Sequence, residues 1–455
     1  MAESAERIHL IGIGGIGVSG IARLLHLGGH RVSGSDVKES SITRALRAEG
    51  ITVHIGHDPA HLREVDRVVY STAIPTDNPE RLAAQDFGIP LVHRAAVLEE
   101  LLRDRESVGV IGTHGKGTVA ALLTCILDEA GRAPGFYVGG LLLDYGTNAR
   151  LGGGRLLVAE VDESDGSHLL VQPDHVVVNN LELDHLNYYG GLDDIVGTAA
   201  RFVDGNPRLR ELVLNVGCPG VADLATRLGH GYVGCGVGLS AAFQAHDLVA
   251  DARTVSFSLG RRGEDLGRFT LALPGEYNVE NALAAATMAL QLGVDVDALR
   301  RGLARCRGLE NRFTVVPCRG ATLVKDYLSH PNGMRKVLKA ARRLGPGRLF
   351  VVYKPYRYTL LKYLGDEYAQ AFAAADRVIL TNLYTAGEDP IPGIDDGYLV
   401  DRCRALGQHV THVATTEEIP AVLREQVQPG DVVALFGGDD FFRMADRFAA
   451  EEVAP

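Results

Sequence analysis

Short apolar strands alternate with helical stretches along almost the whole of this 455-residue chain, in three successive series. The first series contains IHLIGI, HRVSGSD, VDRVVYSTA and IPLVHR, and the second contains SVGVIGT, LLVAEVD and HVVVNNL. The third contains RLFVVYK, RVILTNLY and DVVALFGG. Such alternation favours parallel sheets covered by helices, and the chain is too long for a single hydrophobic core. The pattern predicts three consecutive α/β units.

Charge and composition argue against a nucleic-acid-binding, membrane or zinc-type cysteine protein. The net charge of −11 lacks the basic excess that is typical of nucleic-acid and membrane-surface binders. The sequence shows no signal peptide and no apolar stretch long enough to span a membrane. The six cysteines are scattered, without a CxxC pair or zinc-type spacing, which predicts buried, reduced thiols. We expect a cytoplasmic monomer or homodimer that acts on small molecules, with no nucleic-acid or membrane partner.

A glycine turn, GIGGIGVSG, stands between the first strand and the first helix. Gly12, Gly14 and Gly17 allow a tight turn that leaves helix N-terminal amides free to hold a diphosphate. Asp36 closes the next strand at about the distance expected for a ribose contact. By itself this turn indicates a dinucleotide-dependent enzyme. The diphosphate of a UDP-sugar would fit equally well, and tight packing without any ligand is the third alternative.

The loop GTHGKGT, which begins at Gly112, is a second phosphate signal between a strand and a helix. Its amides can hold phosphates while Lys116 reaches the phosphoryl group that is transferred. The usual loop places a hydroxyl directly after the lysine, but Gly117 stands there and Thr118 follows. We interpret this loop as a nucleotide site whose hydroxyl is displaced by one position.

Polar side chains cluster after two further strands. AEVDESDGS carries Glu160, Asp162, Glu163 and Asp165, and VVVNNLELDH carries Asn179, Glu182, Asp184 and His185. Carboxylates at a strand end beside a phosphate loop suit a hard cation. The alternative is a solvated acidic turn that caps a helix.

Ten segments in a fixed order carry a resemblance to one family. They are GIGGIGVSG, SGSD, STAIPTDNPE, GTHGK, AEVDESD, NNLELDH, PGEYNVENALAA, NRF, KDYLSHP and PYRYT. Together they resemble the Mur ligases of peptidoglycan synthesis over essentially the whole chain. The resemblance implies an α/β fold of three domains: a Rossmann-like UDP-substrate domain at 1–106, a central P-loop ATPase domain at 107–311 and a C-terminal Rossmann-like amino-acid domain at 312–455.

The resemblance also implies the site residues. For the UDP substrate they are Gly12, Gly14, Gly15, Ile16, Gly17, Ser35, Asp36, Ser71 and Thr72. For ATP they are Gly112, Thr113, His114, Gly115, Lys116, Gly117, Thr118, Asn278, Asn281, Arg312 and Asp326. For the amino acid they are Tyr327, His330, Tyr356 and Arg357, and for Mg²⁺ they are Thr118, Glu163 and His185. Catalytic roles are implied for Lys116, Glu163, His185, His330 and Arg357.

The implied reaction is an ATP-dependent amide ligation. ATP phosphorylates a UDP-N-acetylmuramate-type carboxylate, and an L-amino acid (L-alanine or another small amine) attacks the acyl phosphate, releasing ADP and phosphate. Lys116 and Mg²⁺ would neutralise the charge on the transferred phosphoryl group.

The sequence departs from the family pattern most strongly near the amine site. KDYLSHPNGM and YKPYRYTLL differ from the typical DDYGHHPTEI and FQPHRYTR, and Leu360 stands where a second arginine is usual. Losing that arginine removes a charge-assisted bond of about 1.5–3 kcal/mol. Two alternatives therefore stay open: a diverged ligase with a redirected amine or acid substrate, and a non-catalytic homologue that binds nucleotide and UDP-sugar.

Overall fold

The computed structural model describes residues 5–186 and 188–451. Contacts divide the chain into two compact units: Met1–His246 with Ser258–Phe269 and Glu280–Leu309, and Asp247–Phe257 with Thr270–Val279 and Glu310–Pro455. Three sheets, of five, ten and six strands, lie within the described residues. Each sheet corresponds to one of the three predicted series of strands and helices, so that prediction is confirmed. Within this part of the chain, no helix is both long enough and apolar enough to cross a membrane.

The five-stranded sheet is entirely parallel and has the order β3-β2-β1-β4-β5. Its strands are β1 Arg7–Ile11, β2 Arg31–Asp36, β3 Thr52–Ile55, β4 Arg67–Tyr70 and β5 Leu91–His93. Its helices are α1 Ile16–Leu27, α2 Ser41–Ala48, α3 Pro79–Asp86 and α4 Arg94–Arg103. Because the strand order reverses between β1 and β4, the carboxyl ends of these two strands border a crevice in which ligands typically bind.

The ten-stranded sheet has the order β15-β14-β13-β12-β11-β10-β6-β9-β7-β8. Its strands are β6 Glu106–Ile111, β7 Gly135–Leu142, β8 Thr147–Arg150, β9 Leu156–Glu160, β10 His175–Val178, β11 Glu211–Asn215, β12 Val233–Val237, β13 Phe243–Ala250, β14 Val255–Arg261 and β15 Glu264–Leu271. The accompanying helices are α5 Lys116–Glu129, α6 Leu192–Asp204, α7 Pro219–Arg227, α8 Tyr277–Gln291 and α9 Val296–Arg305. The buried strand β6 pairs in parallel with β10 and β9, so the carboxyl ends of all three meet at one edge.

The six-stranded sheet has the order β16-β17-β21-β18-β19-β20, with only the β16–β17 pair antiparallel. Its strands are β16 Thr314–Cys318, β17 Ala321–Asp326, β18 Leu349–Tyr353, β19 Arg377–Leu380, β20 Val410–His412 and β21 Val432–Phe436. Its helices are α10 Pro331–Ala341, α11 Tyr358–Ala371, α12 Tyr398–Ala405, α13 Ile419–Gln426 and α14 Asp439–Ala450. Tyr353, Tyr368 and Phe372 pack together in its core.

The buried carboxylate of Glu80 contacts four polar side chains from the strands and loops of the first sheet. Its oxygens lie 2.7 Å from His61 Nδ1, 3.2 Å from His57 Nδ1 and 3.5 Å from His9 Nε2. The Ser35 hydroxyl donates to the same group at 2.5 Å. Burial opposes ionisation of Glu80, but hydrogen bonds from His9, Ser35 and His61 outweigh it and lower its pKa to about 2. Glu80 is therefore a charged anchor inside the fold.

Replacing Glu80 with Gln is expected to lower the free energy of unfolding by about 1–3 kcal/mol, because buried donors lose their charged acceptor. The folded-state pKa lies below its ordinary value of 4.5, so this contribution is complete above that pH and is lost as pH falls towards about 2. Urea unfolding of both proteins, from about pH 3 to about pH 7, measures the effect. A difference that grows under acid conditions would contradict it.

Candidate functional site

The glycine turn after β1 presents the free N-terminus of α1. Gly12 adopts a φ of 74°, which favours glycine, and the Gly15 amide donates back to the Gly12 carbonyl at 3.0 Å. A Cβ placed on Gly14 would lie 2.7 Å from Asp36 Oδ2. The turn therefore needs its glycines for conformation and for close packing, and it leaves the first amides of α1, including those of Ile16 and Gly17, available to an anion.

The other residues predicted for the UDP substrate lie at neighbouring strand ends. Ser35 and Asp36 end β2, and Ser71 and Thr72 follow β4. Asp36 already accepts the Gly14 amide at 2.9 Å, so it shapes the turn. Thr72 donates to Asp165 at 2.5 Å. The structure thus brings this predicted set to one edge of the first sheet.

Asparagine side chains form hydrogen bonds with the backbone of the loop between β6 and α5. Asn180 accepts from the His114 amide at 2.7 Å, and Asn179 donates to the His114 carbonyl at 3.0 Å and to Asn281 at 2.8 Å. Gly115 has a φ of 75°, and a Cβ there would lie 2.4 Å from Asn281 Oδ1. These contacts fix the curvature of a backbone that can hold phosphate. Asn281, predicted for the ATP site, does lie against this loop.

Gly117 fills a place that has no room for a side chain. A Cβ at this position would lie 2.7 Å from Leu309 Cδ1, 3.0 Å from Glu160 Oε2 and 3.2 Å from Val138 Cγ1. The glycine is therefore a consequence of packing against these neighbours. Thr118 follows in the first turn of α5 and is half-buried.

Lys116 is a cation with only 11% of its side chain exposed, and it has a close anionic partner. Its Nζ donates to Glu163 Oε1 at 2.9 Å and to the Gly112 carbonyl at 2.7 Å. Burial opposes the charged form, but Glu163, Glu160 and Asp162 outweigh it and raise the pKa of Lys116 to about 12. Burial also raises the pKa of Glu163, against the attraction of Lys116. A phosphoryl group on this loop would meet a lysine that is fully protonated at neutral pH.

The residues predicted for the cation meet a simple chemical test. Glu163 Oε2 is buried and has no hydrogen-bond partner among the described residues. His185 Nε2 lies 3.8 Å from Glu163 Oε1, and the Tyr189 hydroxyl donates to the Glu163 carbonyl at 2.5 Å. A buried carboxylate oxygen without a hydrogen-bond partner is suited to bind a hard cation. Glu163 therefore fits Mg²⁺, and the His185 ring lies beside it.

Arg94, which the sequence analysis missed, lies between the glycine turn and the acidic segment that follows β9. Its Nη2 donates to Asp162 Oδ2 at 2.7 Å, and its Nη1 lies 3.4 Å from where a Cβ on Gly17 would stand. Burial opposes ionisation of Asp162, but Lys116 and Arg94 outweigh it and lower its pKa. One signal could have found Arg94: it directly follows β5, at the same sheet edge as the glycine turn.

In the second unit, Asp326 organises the segment that enters β16. It accepts the Phe313 amide at 2.9 Å and the Leu328 amide at 2.9 Å, and Arg312 Nη1 lies 3.6 Å away. Arg312 and Asp326, both predicted for ATP, are therefore neighbours. Asn278 donates to the Pro274 carbonyl at 2.7 Å in the same unit.

Tyr327 and His330 follow β17. The Tyr327 hydroxyl donates to Asp439 at 2.5 Å, and about two-fifths of the residue is exposed. His330 is buried and caps α10, accepting the Asn332 amide on Nδ1 at 3.3 Å. His330 thus has a local structural role, and its place in the amino-acid site stays a prediction.

The predicted amino-acid residue Arg357 already has an anionic neighbour. Its Nη1 donates to Glu388 at 3.3 Å, and its guanidinium stacks over the Tyr356 ring at 5.2 Å. Thr359 donates to the same carboxylate through its amide and hydroxyl, at 3.0 Å and 2.7 Å. Leu360 is buried in the apolar core of this unit. The missing second arginine is thus replaced by a core residue, and Glu388, which the sequence analysis did not single out, shares the charge of Arg357.

Replacing Gly117 with Ala is expected to destabilise the protein by about 1–3 kcal/mol, because Leu309 and Glu160 must move. Gly197→Ala is the matched control: it is also a helical glycine, but a Cβ there meets nothing within 4 Å. Urea midpoints of the two variants measure the contrast. Equal or raised stability of the Gly117 variant would contradict the packing explanation.

Comparison with known proteins assigns the family domain by domain. Residues 7–106 match the Mur ligase family catalytic domain, residues 110–289 the Mur ligase middle domain and residues 311–438 the Mur ligase glutamate ligase domain.

Individual relatives match along nearly the whole chain. The chain is 41% identical to a UDP-N-acetylmuramate–L-alanine ligase of Sorangium cellulosum, over 96% of this chain and 94% of that protein. It is 39% identical to the enzyme of the same name from Rhizobium meliloti, over 96% and 95%. Among solved structures, a UDP-N-acetylmuramate–alanine ligase of Thermotoga maritima matches with a TM-score of 0.84 and 25% identity, covering 98% of this chain and 99% of that one.

The three sheets, the two glycine-rich turns and the domain matches agree with one another, and they confirm the family resemblance and the three-domain α/β architecture. The chain belongs to the Mur ligase family of ATP-dependent amide ligases.

Proposed function

We propose that this enzyme joins the carboxylate of UDP-N-acetylmuramate to L-alanine, with release of ADP and phosphate. The observation that carries the proposal is the position of Arg94 between Gly17 of the glycine turn and Asp162 of the acidic cluster. Glu163 follows Asp162 and pairs with Lys116 of the phosphate loop. A substrate whose diphosphate rests on the glycine turn could therefore extend its carboxylate towards the phosphoryl donor on the second turn.

In the first step, a substrate carboxylate oxygen attacks the γ-phosphoryl group of ATP, and an acyl phosphate and ADP result. Lys116 holds positive charge beside the transferred group, and the loop amides hold the neighbouring phosphates. Mg²⁺ held by Glu163 and His185, with Thr118 as the third predicted ligand, would supply further charge neutralisation there. Displacement of Glu163 from Lys116 by the incoming phosphate would free the carboxylate for this cation.

In the second step, the amine attacks the acyl carbon and phosphate leaves, with loss of a proton from the amine. We assign amine recognition to the C-terminal region, 312–455, and in it to Tyr327, His330, Tyr356 and Arg357. The segment 1–106 would bind the UDP moiety and 107–311 would bind ATP, together with Asn278, Asn281, Arg312 and Asp326. The names of the relatives favour L-alanine as the amine.

Lys116→Ala is expected to lower the rate of ADP release by about 100- to 1,000-fold, because it removes the charge that stabilises the transferred phosphoryl group. Lys362→Ala, an exposed lysine on α11, is the matched control and should leave the rate unchanged. The assay supplies UDP-N-acetylmuramate, Mg²⁺ and ATP with a panel of amino acids, and product mass identifies the amine. Failure of every amine to raise turnover would reject the ligase proposal, and selective use of another amine would redirect it.

Arg357→Ala is expected to raise KM for the amino acid by about ten- to a hundredfold, the equivalent of a charge-assisted bond of about 1.5–3 kcal/mol. KM for ATP should stay the same. Glu388→Gln should lower KM for the amino acid, since it frees the guanidinium from a competing carboxylate. If both variants leave this KM unchanged, Arg357 does not bind the amino-acid carboxylate.

A further inference from the structure

Cys125, Asp144 and Cys306 come together in the first unit, and none of them is among the residues assigned to the reaction. One ligand atom from each lies within 4.8 Å of the others. The Cys125 thiol donates to Asp144 Oδ2 at 3.7 Å. Both cysteines are completely buried, and Asp144 is half-buried. The sequence gives no hint of this cluster, because 181 positions separate its two cysteines.

We propose that Cys125, Cys306 and Asp144 form a binding site for a thiophilic divalent cation of the Zn²⁺ type. Zinc binds thiolate sulfur at about 2.3 Å and carboxylate oxygen at about 2.0–2.2 Å in tetrahedral sites. Tetrahedral angles then place two sulfurs about 3.8 Å apart, and sulfur and oxygen about 3.5–3.7 Å apart. The observed distance of 3.7 Å from Cys125 Sγ to Asp144 Oδ2 has this size. A water molecule would complete the fourth position.

Three separate elements hold the ligands in place before any cation arrives. Cys125 lies in α5, Asp144 in the turn between β7 and β8, and Cys306 directly after α9. The Arg307 amide donates to Asp144 at 2.8 Å, which fixes the carboxylate beside the end of α9. The helices approach closely, since a Cβ on Gly302 would lie 2.5 Å from Ile126 Cα. The site therefore needs only small side-chain rotations to close on a cation.

The donor set selects the kind of cation. Two sulfurs and one carboxylate suit Zn²⁺ and similar ions, whereas Mg²⁺ and Ca²⁺ prefer oxygen ligands over sulfur. Two thiolates and a carboxylate carry three negative charges against two on the ion, and the nearby Arg305 also pairs with Glu129 and Asp128. The neighbouring Cys306 thiol and burial raise the pKa of Cys125, so binding must displace thiol protons into solvent. Affinity should therefore rise with pH.

The site adjoins the phosphate loop through two connections. Cys125 belongs to the helix that begins at Lys116. Cys306 stands three residues before Leu309, whose Cδ1 closes the space beside Gly117. A cation held here would fasten α5 to the chain segment that packs on the loop, and it would thereby stabilise the first unit.

The test uses the full-length, reduced protein, stripped of metal by a chelator and kept in saturating Mg²⁺. Co²⁺ is the probe, because thiolate ligation produces a sulfur-to-cobalt charge-transfer band. We expect one Co²⁺ per chain, displacement by Zn²⁺, tighter binding at higher pH and a higher melting temperature with metal. Cys306→Ser and Asp144→Asn should each weaken binding by more than about tenfold. Cys235→Ser, a buried cysteine in β12, is the matched control.

Three results would overturn the proposal. They are absence of the charge-transfer band, a band of unchanged strength in the Cys306 and Asp144 variants, or a Cys125–Cys306 disulfide that forms in place of metal binding. If the cysteine variants unfold, Asp144→Asn still decides the matter: its metal-free melting temperature should equal that of the parent while its metal affinity falls. None of these readouts depends on ligase activity, so they are independent of the proposed reaction.

Discussion

The ion pair between Lys116 and Glu163, which is largely shielded from solvent, is the interaction on which the candidate site of the first unit depends. A lysine in this position is stable only if an anion stands beside it, and Glu163 supplies that anion at 2.9 Å. The same carboxylate keeps one oxygen without a partner among the described residues. A phosphate and a cation would together satisfy both groups better than they satisfy each other. In the proposed reaction, phosphate and Mg²⁺ would complete this arrangement of charges.

The surrounding sheet positions the side chains of that ion pair and their neighbours. The parallel strands β10, β6 and β9 end at one edge, so their loops supply the asparagines, the phosphate loop and the acidic cluster to a single small region. Arg94 extends this charged network to the glycine turn of the first sheet. Two glycine-rich turns on neighbouring sheets agree with the proposed reaction between two phosphate-bearing substrates, ATP and a UDP-linked acid.

Much of this could be predicted from short patterns. Alternating strands and helices indicated three α/β units, and the spacing of glycines indicated both turns, because turn geometry depends on residues adjacent in sequence. Asp36 accepts the Gly14 amide, which short patterns did not indicate, and its contact with the substrate stays a prediction. Gly117 looked like an altered hydroxyl position, but Leu309, almost two hundred positions away, supplies the physical reason for the glycine. Glu388 likewise shares the charge of Arg357 from a different loop.

The sequence by itself determined the fold class, the two glycine-rich turns and the family, since these rest on local conformation and on motifs in a fixed order. The tertiary structure alone decided which side chains lie close together. Arg94 meets Asp162, Lys116 meets Glu163, and Cys125 meets Cys306 and Asp144. The physical reason is distance. Electrostatic and ligand interactions act over a few ångströms in space, and only the packing of helices and sheets brings residues that are far apart in sequence within that range.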